Sequence, residues 1–114
     1  MSESDPAIDR LFHALGDPTR RAMLDRLSQA PTTVSRLAAH LGITLTAVGQ
    51  HLQILEACAL VSTEKTGRVR TCSLDSAGFD RLEQWVRDHR HAMELRLDRL
   101  AAMLDEDAKS EPQA

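Results

Sequence analysis

Apolar residues recur every three or four positions in four stretches of the first sixty residues, which predicts four helices with one buried face each. The second helix opens at Asp17-Pro18, an N-cap followed by a proline that the first helical position tolerates. Thr32 or Thr33 caps the short third helix, Gly42 ends it, and Thr44 caps the fourth. A short helix, a glycine turn and a second helix are typical of a helix-turn-helix.

The fourth predicted helix, residues 44–57, has two unlike faces. At about 100° per residue, Val48, Leu52 and Leu55 fall on one stripe that suits a core. The opposite side carries uncharged side chains that can form hydrogen bonds: Thr46, Gln50 and Gln53. A face that only had to be soluble would normally carry Lys and Glu, so these amides and hydroxyls favour contact with a polar partner.

After the fourth helix the pattern changes to that of β-strands. The segments 61–65 and 69–74 are rich in β-forming residues and flank a glycine-containing turn, which predicts a hairpin. Cationic residues fall at or beside its tip: Lys65, Arg68 and Arg70. Helices followed by a small β-hairpin predict a mainly α fold, a winged helix-turn-helix in which residues 8–74 form the body with its wing.

One long helical pattern runs from residue 76 to about residue 105. Its apolar seam is close to a heptad repeat and consists of Phe79, Leu82, Val86, His89, Met93, Leu97, Leu100 and Leu104. A helix of this length cannot bury its seam on a small body alone, so we expect a homodimer. Its interface would combine the seam residues up to Leu100 with Leu11 of the first helix. The polar residues 106–114 predict a frayed tail.

The length of 114 residues favours a single domain, 1–114. The net charge is −3, but residues 10–73 carry eight Arg or Lys and only four Asp or Glu, while both ends are acidic. A cationic middle suits a partner that carries phosphates. No stretch approaches the roughly 20 apolar residues of a membrane span, and the amino terminus has no apolar run, so we expect a cytoplasmic protein without membrane contact.

Several separate strings keep one common spacing: ALGDPTRR at 14–21, LAAHLGI at 37–43, AVGQHLQIL at 47–55, then Leu60-Val61 and Gly67-Arg68. Together they resemble the ArsR/SmtB family of bacterial transcriptional repressors, over about residues 8–104. The resemblance implies a dimeric winged-helix repressor that binds a palindromic operator in double-stranded DNA. It also implies release by a small effector, whose identity the sequence leaves open.

In that family the fourth helix enters the major groove, and the wing touches the flanking backbone or minor groove. The resemblance therefore implies DNA contacts by Thr33, Ser35, Thr44, Thr46, Ala47, Gly49, Gln50, His51, Gln53, Lys65, Arg68 and Arg70. Arg20 or Arg21 is a further candidate for phosphate. The chain departs from the family at Gly49, where Ser is common, and at Ala59, where Gly commonly follows the helix.

Metal sensors of the family use either paired cysteines near the fourth helix or four ligands on the last helix. No Cys-x-Cys pair precedes or begins the fourth helix here. Taking His89 as one ligand leaves Ser76, Gly78 and Ala92 at the other three positions, so we expect neither a metal site nor a cofactor. Cys58 and Cys72 leave two alternatives open. They form a redox or effector site near the fourth helix, or they are free thiols that fill space in the core.

No nucleophile with a base, phosphate-binding glycine loop or pair of catalytic carboxylates is evident, so we expect no enzyme. The alternative to a DNA-binding regulator is a winged-helix module that uses the same helices to bind a protein and never reads DNA. The salt dependence of DNA binding distinguishes the two, because phosphate contacts release counterions and protein docking need not.

Overall fold

The structure is a computed structural model and describes residues 5–110. In chain order, the elements in this range are α1 (Pro6–Leu15), α2 (Pro18–Gln29), β1 (Thr32–Thr33), α3 (Val34–Leu41), α4 (Leu45–Ala57), β2 (Val61–Thr66), β3 (Val69–Leu74) and α5 (Ser76–Ser110). We call the hairpin of β2 and β3 the wing. This mainly helical architecture with a small sheet and a long last helix confirms the predicted winged helix-turn-helix.

Local hydrogen bonds fix the helix starts at residues that the sequence indicated. Asp17, Thr33 and Thr44 each accept, through a side-chain oxygen, the backbone N–H three residues further on, at 2.9, 3.2 and 3.0 Å. Gly42 ends α3 with a φ of 67°, a left-handed conformation that costs glycine little, and its N–H donates to carbonyls in the last turn of α3. These bonds place α4 directly after a tight turn.

The core of the first part of the chain is built by α1 to α4 and the sheet. The predicted inward stripe of α4, Val48, Leu52 and Leu55, is at most 2% exposed. Leu11 is 1% exposed and packs in this same core. The prediction that Leu11 belongs to a dimer interface is therefore wrong, because its own chain already encloses its side chain.

The sheet has one strand more than the predicted hairpin. The strand order is β1-β3-β2, all antiparallel, with Thr32 opposite Cys72 and Thr33 opposite Thr71. The wing itself is confirmed, with Gly67 at a φ of 63° in its turn. A strand of two residues is too short to show alternation, and Thr33 also caps α3, so the sequence pattern did not indicate β1.

The chain divides into two compact units, the first ending at Leu82 and the second beginning at Glu83. The first unit thus includes the start of α5, whereas the sequence pattern placed the end of the body before that helix. Helix α5 runs to Ser110, past the predicted end near residue 105, because residues 105–110 contain no glycine or proline that would end it. Residues 111–114 of the predicted tail lie outside the described residues. Among the helices described here, none is long and apolar enough to cross a membrane.

Candidate nucleic-acid interface

The outward face of α4 presents hydrogen-bonding groups that the protein itself does not use. Thr46, Gln50 and Gln53 are exposed, and between residues 5 and 110 no side-chain hydrogen bond is recorded for any of them. Ala47 and Gly49, also predicted to contact DNA, are half-buried beside them. The amide and hydroxyl groups of this face are thus available to an outside partner.

A groove separates this face from the wing, and we call it the α4–wing groove. It is lined by Thr46, Gly49, Gln50, Leu52, Gln53, Glu56 and Arg70. Arg70 Nη2 lies 3.8 Å from Glu56 Oε1, so the two side chains form an ion pair, although the distance is too long for a hydrogen bond. Arg70 Nε also donates a hydrogen bond to Thr63 Oγ1 at 3.3 Å. These contacts hold the guanidinium beside the amides of α4.

The tip of the wing concentrates positive charge. Lys65 and Arg70 are directly opposite each other in the register of β2 and β3, and Arg68 lies in the turn beside them. Like charges placed opposite each other across two strands repel. All three side chains are exposed, so a bound anion such as a phosphate would relieve this repulsion.

A second groove lies where α3, α4 and the wing come together, and we call it the α3–wing groove. Its lining is Thr33, Val34, Ser35, Leu45, Arg68, Val69 and Arg70. The hydroxyl oxygens of Thr33 and Thr44 accept capping bonds, but their hydroxyl hydrogens stay available to donate. Sequence reasoning missed Leu45 and Val69. By helical spacing Leu45 continues the inward stripe of Val48, Leu52 and Leu55, so the sequence pattern gave no sign that it is exposed.

His51, predicted among the DNA-contacting residues, has its ring directed at the protein body. Its Nδ1 lies 3.4 Å from Arg20 Nη1 and 4.0 Å from the Asp17 carboxylate, and its side chain is only 23% exposed. The Asp17 carboxylate also accepts the backbone N–H of Arg20, which holds the pKa of that carboxyl below its ordinary value. His51 therefore joins α4 to the start of α2.

Arg20 was one of two candidates for phosphate contact, and the structure assigns it another role. It is 7% exposed, and its guanidinium donates to Ala14 O at 2.8 Å and to His13 O at 2.9 Å. Both carbonyls belong to the last turn of α1. His13 O also accepts the N–H of Gly16, whereas the helix itself leaves Ala14 O without a partner. The other candidate, Arg21, is exposed and donates to Leu15 O. Only Arg21 keeps an exposed guanidinium for an outside anion.

The two cysteines are free thiols in different surroundings. Cys58 follows α4, and its Sγ donates to Ile54 O at 3.4 Å, whereas Cys72 is buried in β3 opposite Thr32 and Thr63. Burial raises the pKa of both thiols. Because the thiolate is the reactive form, a raised pKa makes each thiol a poorer nucleophile. These surroundings are typical of inert thiols.

Within the described range, no three His, Cys, Asp or Glu side chains lie close enough together to hold a metal ion. His89, the remaining histidine of the family array, stacks on Trp85 in the second unit with ring centroids 3.9 Å apart. Its Nδ1–H donates to the Trp85 carbonyl at 2.9 Å. This ring is therefore held on its own helix.

The predicted dimer seam differs between the two units. Phe79 and Leu82 are half-buried within the first unit. In the second unit the apolar members of the seam are between 41% and 59% exposed: Val86, Met93, Leu97, Leu100 and Leu104. A regular stripe of large apolar side chains left in water is typical of a surface that binds a partner.

Comparison with known proteins gives consistent matches. Residues 15–64 match a family model described as a helix-turn-helix domain. The HTH-type transcriptional regulator Rv2034 of Mycobacterium tuberculosis is 41% identical over 71 residues, which are 62% of this chain and 66% of that protein. The chain thus spans just under two thirds of the length of this curated relative.

Two solved structures extend the match over most of the chain. The crystal structure of an ArsR family transcriptional regulator, RHA00566, superposes with a TM-score of 0.74 at 38% identity, covering 82% of this chain and 97% of that chain. The homodimeric winged helix-turn-helix DNA-binding domain of Mb0332 from Mycobacterium bovis superposes with a TM-score of 0.59 at 26% identity, covering 79% and 93%.

Proposed function

The chain belongs to the ArsR family of winged helix-turn-helix transcriptional regulators, a class without enzymatic activity, and we propose that it is a repressor. It binds a palindromic operator as a homodimer and leaves the operator when a small effector binds. The observation that carries the DNA-binding part is the outward face of α4, whose polar groups are exposed and have no partner in the described part of the chain. Release by an effector rests on the family resemblance.

Base recognition is the role that suits the outward face of α4. The amide of Gln50 or Gln53 can both donate to and accept from one edge of adenine in the major groove, and the hydroxyl of Thr46 can bond to several base edges. An uncharged face is appropriate here because base edges carry no net charge. The inward stripe of the same helix supports this role by packing α4 rigidly in the core.

Phosphate binding is the role that suits the wing tip and the start of α3. Lys65 and Arg68 are exposed, and no hydrogen bond or ion pair is recorded for either within residues 5–110. Arg70, Thr33 and Ser35 line the neighbouring groove. Contacts to phosphate fix the position of a protein on the duplex without reading its sequence. The buried Arg20 is left out of this set, and the exposed Arg21 replaces it.

Dimerisation is supported by the exposed seam of α5 and by the homodimeric state of the Mb0332 domain. A palindromic operator presents the same half-site twice. In helix-turn-helix dimers the two half-sites lie about one turn of the duplex apart, or a multiple of it, roughly 34–36 Å per turn. We expect the two copies of α4 to occupy successive major grooves at that spacing.

Removing the Arg68 guanidinium tests the phosphate role. We expect Arg68→Ala to weaken binding about equally on the operator and on an unrelated duplex. The slope of log K against log salt should fall by about 2 per dimer, since each lost phosphate contact removes roughly 0.9. The measurement is fluorescence anisotropy with DNA from upstream of the protein's own gene, at graded salt, with Arg99→Ala as the control from the exposed surface of α5.

The same titration tests the proposed function as a whole. The wild-type protein should bind the upstream duplex with an affinity that falls steeply as salt rises. No binding at low salt, or a slope near zero, would contradict the proposal and favour the protein-interaction module. If Arg68→Ala lowered the affinity for the operator but not for the unrelated duplex, Arg68 would instead be a base-reading residue.

A further inference from the structure

The α3–wing groove contains two large apolar side chains that the protein leaves in water. Leu45 is 58% exposed at the first position of α4, and Val69 is 52% exposed at the start of β3. A single exposed leucine is ordinary on a protein surface. These two belong to different elements and line the same groove, so they form one apolar wall rather than two isolated exposures.

The surroundings of this wall point to the kind of partner that meets it. Arg68 and Arg70 line the same groove, and the hydroxyls of Thr33 and Ser35 complete it. The groove thus places an apolar surface directly beside groups suited to phosphate. Leu45 directly precedes Thr46, so both residues lie in the first turn of α4, where the face that we propose reads bases begins.

In the major groove of duplex DNA, the apolar group at a base edge is the C5 methyl of thymine. We infer that Leu45 is a specificity-determining residue that selects thymine by packing on this methyl group, with Val69 lining the other side of the groove. The inference rests on the proposed function, since it requires α4 to lie in the major groove. It adds a preference that hydrogen bonds from Gln50 and Gln53 do not supply.

The experiment compares thymine with deoxyuridine, which has the same hydrogen-bonding groups but no methyl. The binding site is first located by footprinting on the upstream duplex, and each thymine pair of the palindrome is then replaced symmetrically by deoxyuridine. At one position of the palindrome we expect the replacement to lower the wild-type affinity about fourfold per half-site, or about fifteenfold for both half-sites. This is the loss expected when one buried methyl group is removed from each half-site. Replacements at the other positions serve as controls.

Two protein variants, each measured on both duplexes, complete a double-mutant cycle between Leu45 and the thymine methyl. Leu45→Ala should bind the thymine duplex about as weakly as the wild type binds the deoxyuridine duplex. Replacing thymine with deoxyuridine should not lower the affinity of this variant further. Leu45→Met keeps an apolar side chain of similar volume and should retain most of the response. Thermal unfolding should be nearly unchanged in both variants, because Leu45 is largely exposed and alanine and methionine favour helices.

Each outcome decides one point. If the wild type binds the duplex but no deoxyuridine replacement changes its affinity, the inference is wrong while the proposed function stands. If Leu45→Ala weakens binding equally on thymine and deoxyuridine duplexes, the leucine packs on the sugar-phosphate backbone and selects nothing. If the wild type binds no duplex, the proposed function fails and the inference fails with it.

Discussion

Replacing Gly78 with alanine is expected to destabilise the first unit by about 2–4 kcal/mol, the sum of an overpacking cost and a lost hydrogen bond. A Cβ at this position would lie 2.5 Å from Cys58 O and 2.6 Å from Ala59 O. Both are backbone atoms, so no side chain can rotate away to relieve the clash. Separating the segments would also break the hydrogen bond from Gly78 N–H to Ala59 O, now 2.8 Å long.

The chain offers a matched control in Gly49. A Cβ there would meet no heavy atom within 4 Å, and the residue lies in the interior of α4. Gly49→Ala should therefore stabilise the protein by about 0.5–1 kcal/mol through helix propensity alone. Urea unfolding followed by circular dichroism measures both variants. Shifts of the same sign for Gly78→Ala and Gly49→Ala would contradict the close approach at Gly78.

This close approach matters because of where it occurs. Ala59 has a φ of 58°, a left-handed conformation that few residues other than glycine adopt, and it is the second residue after α4, following Cys58. The backbone of α5 thus packs on the strained exit from the helix that we propose reads DNA.

Replacing Arg20 with alanine is expected to cost about 3 kcal/mol of unfolding free energy. The substitution removes charge-assisted hydrogen bonds to His13 O and Ala14 O and leaves the buried Ala14 O without a partner, whereas His13 O keeps the N–H of Gly16. It also removes the guanidinium beside His51, which ties α4 to the body. Arg20→Lys should recover only part of the loss, because an ammonium cannot reproduce the planar fork.

Arg21→Ala is the control for this prediction. Arg21 is the next residue and has a similar bond to Leu15 O, but its side chain is exposed, so its loss should cost less than about 1 kcal/mol. Chemical denaturation gives both values. If the Arg20 and Arg21 variants were equally stable, the buried guanidinium would not be the link between α1 and α4.

The parts of the fold that the sequence predicted correctly depend on local signals. The capping residues Asp17 and Thr44 act on atoms three positions away, and the inward stripe of α4 follows from helical spacing alone. The wing was predicted for the same reason, since its strands are rich in β-forming residues and its turn contains Gly67. Each of these signals lies within a few residues of the structure that it specifies.

The parts that were missed depend on contacts between distant segments. Helical spacing showed that Leu11 faces inward, but it could not show whether its own core or a second copy covers it. Arg20 and His51 are 31 positions apart in the sequence. The residues next to Arg20 are the same whether its guanidinium binds a phosphate or the carbonyls of α1, so the sequence could not distinguish these two roles. Gly78 showed no local pattern that revealed its approach to the end of α4.

In the structure, some of the residues predicted to contact DNA are exposed and free to bind a partner, and others are already bound within the protein. Thr46, Gln50 and Gln53 keep their polar groups free for a partner, as the sequence pattern indicated. His51 is directed inward, and Leu45 was overlooked because its helical spacing places it on the inward stripe of Val48, Leu52 and Leu55, although it is 58% exposed. Burial and contact partners, which the sequence does not give, decide this division.

The most direct measurement is the ratio of affinities for the operator and for a scrambled duplex, in the wild type and in a variant carrying Thr46→Ala, Gln50→Ala and Gln53→Ala. These exposed substitutions should leave the fold intact. We expect the wild type to prefer the operator strongly. The triple variant should lose most of that preference and keep salt-dependent binding to both duplexes. A triple variant that discriminates as well as the wild type would show that bases are read elsewhere.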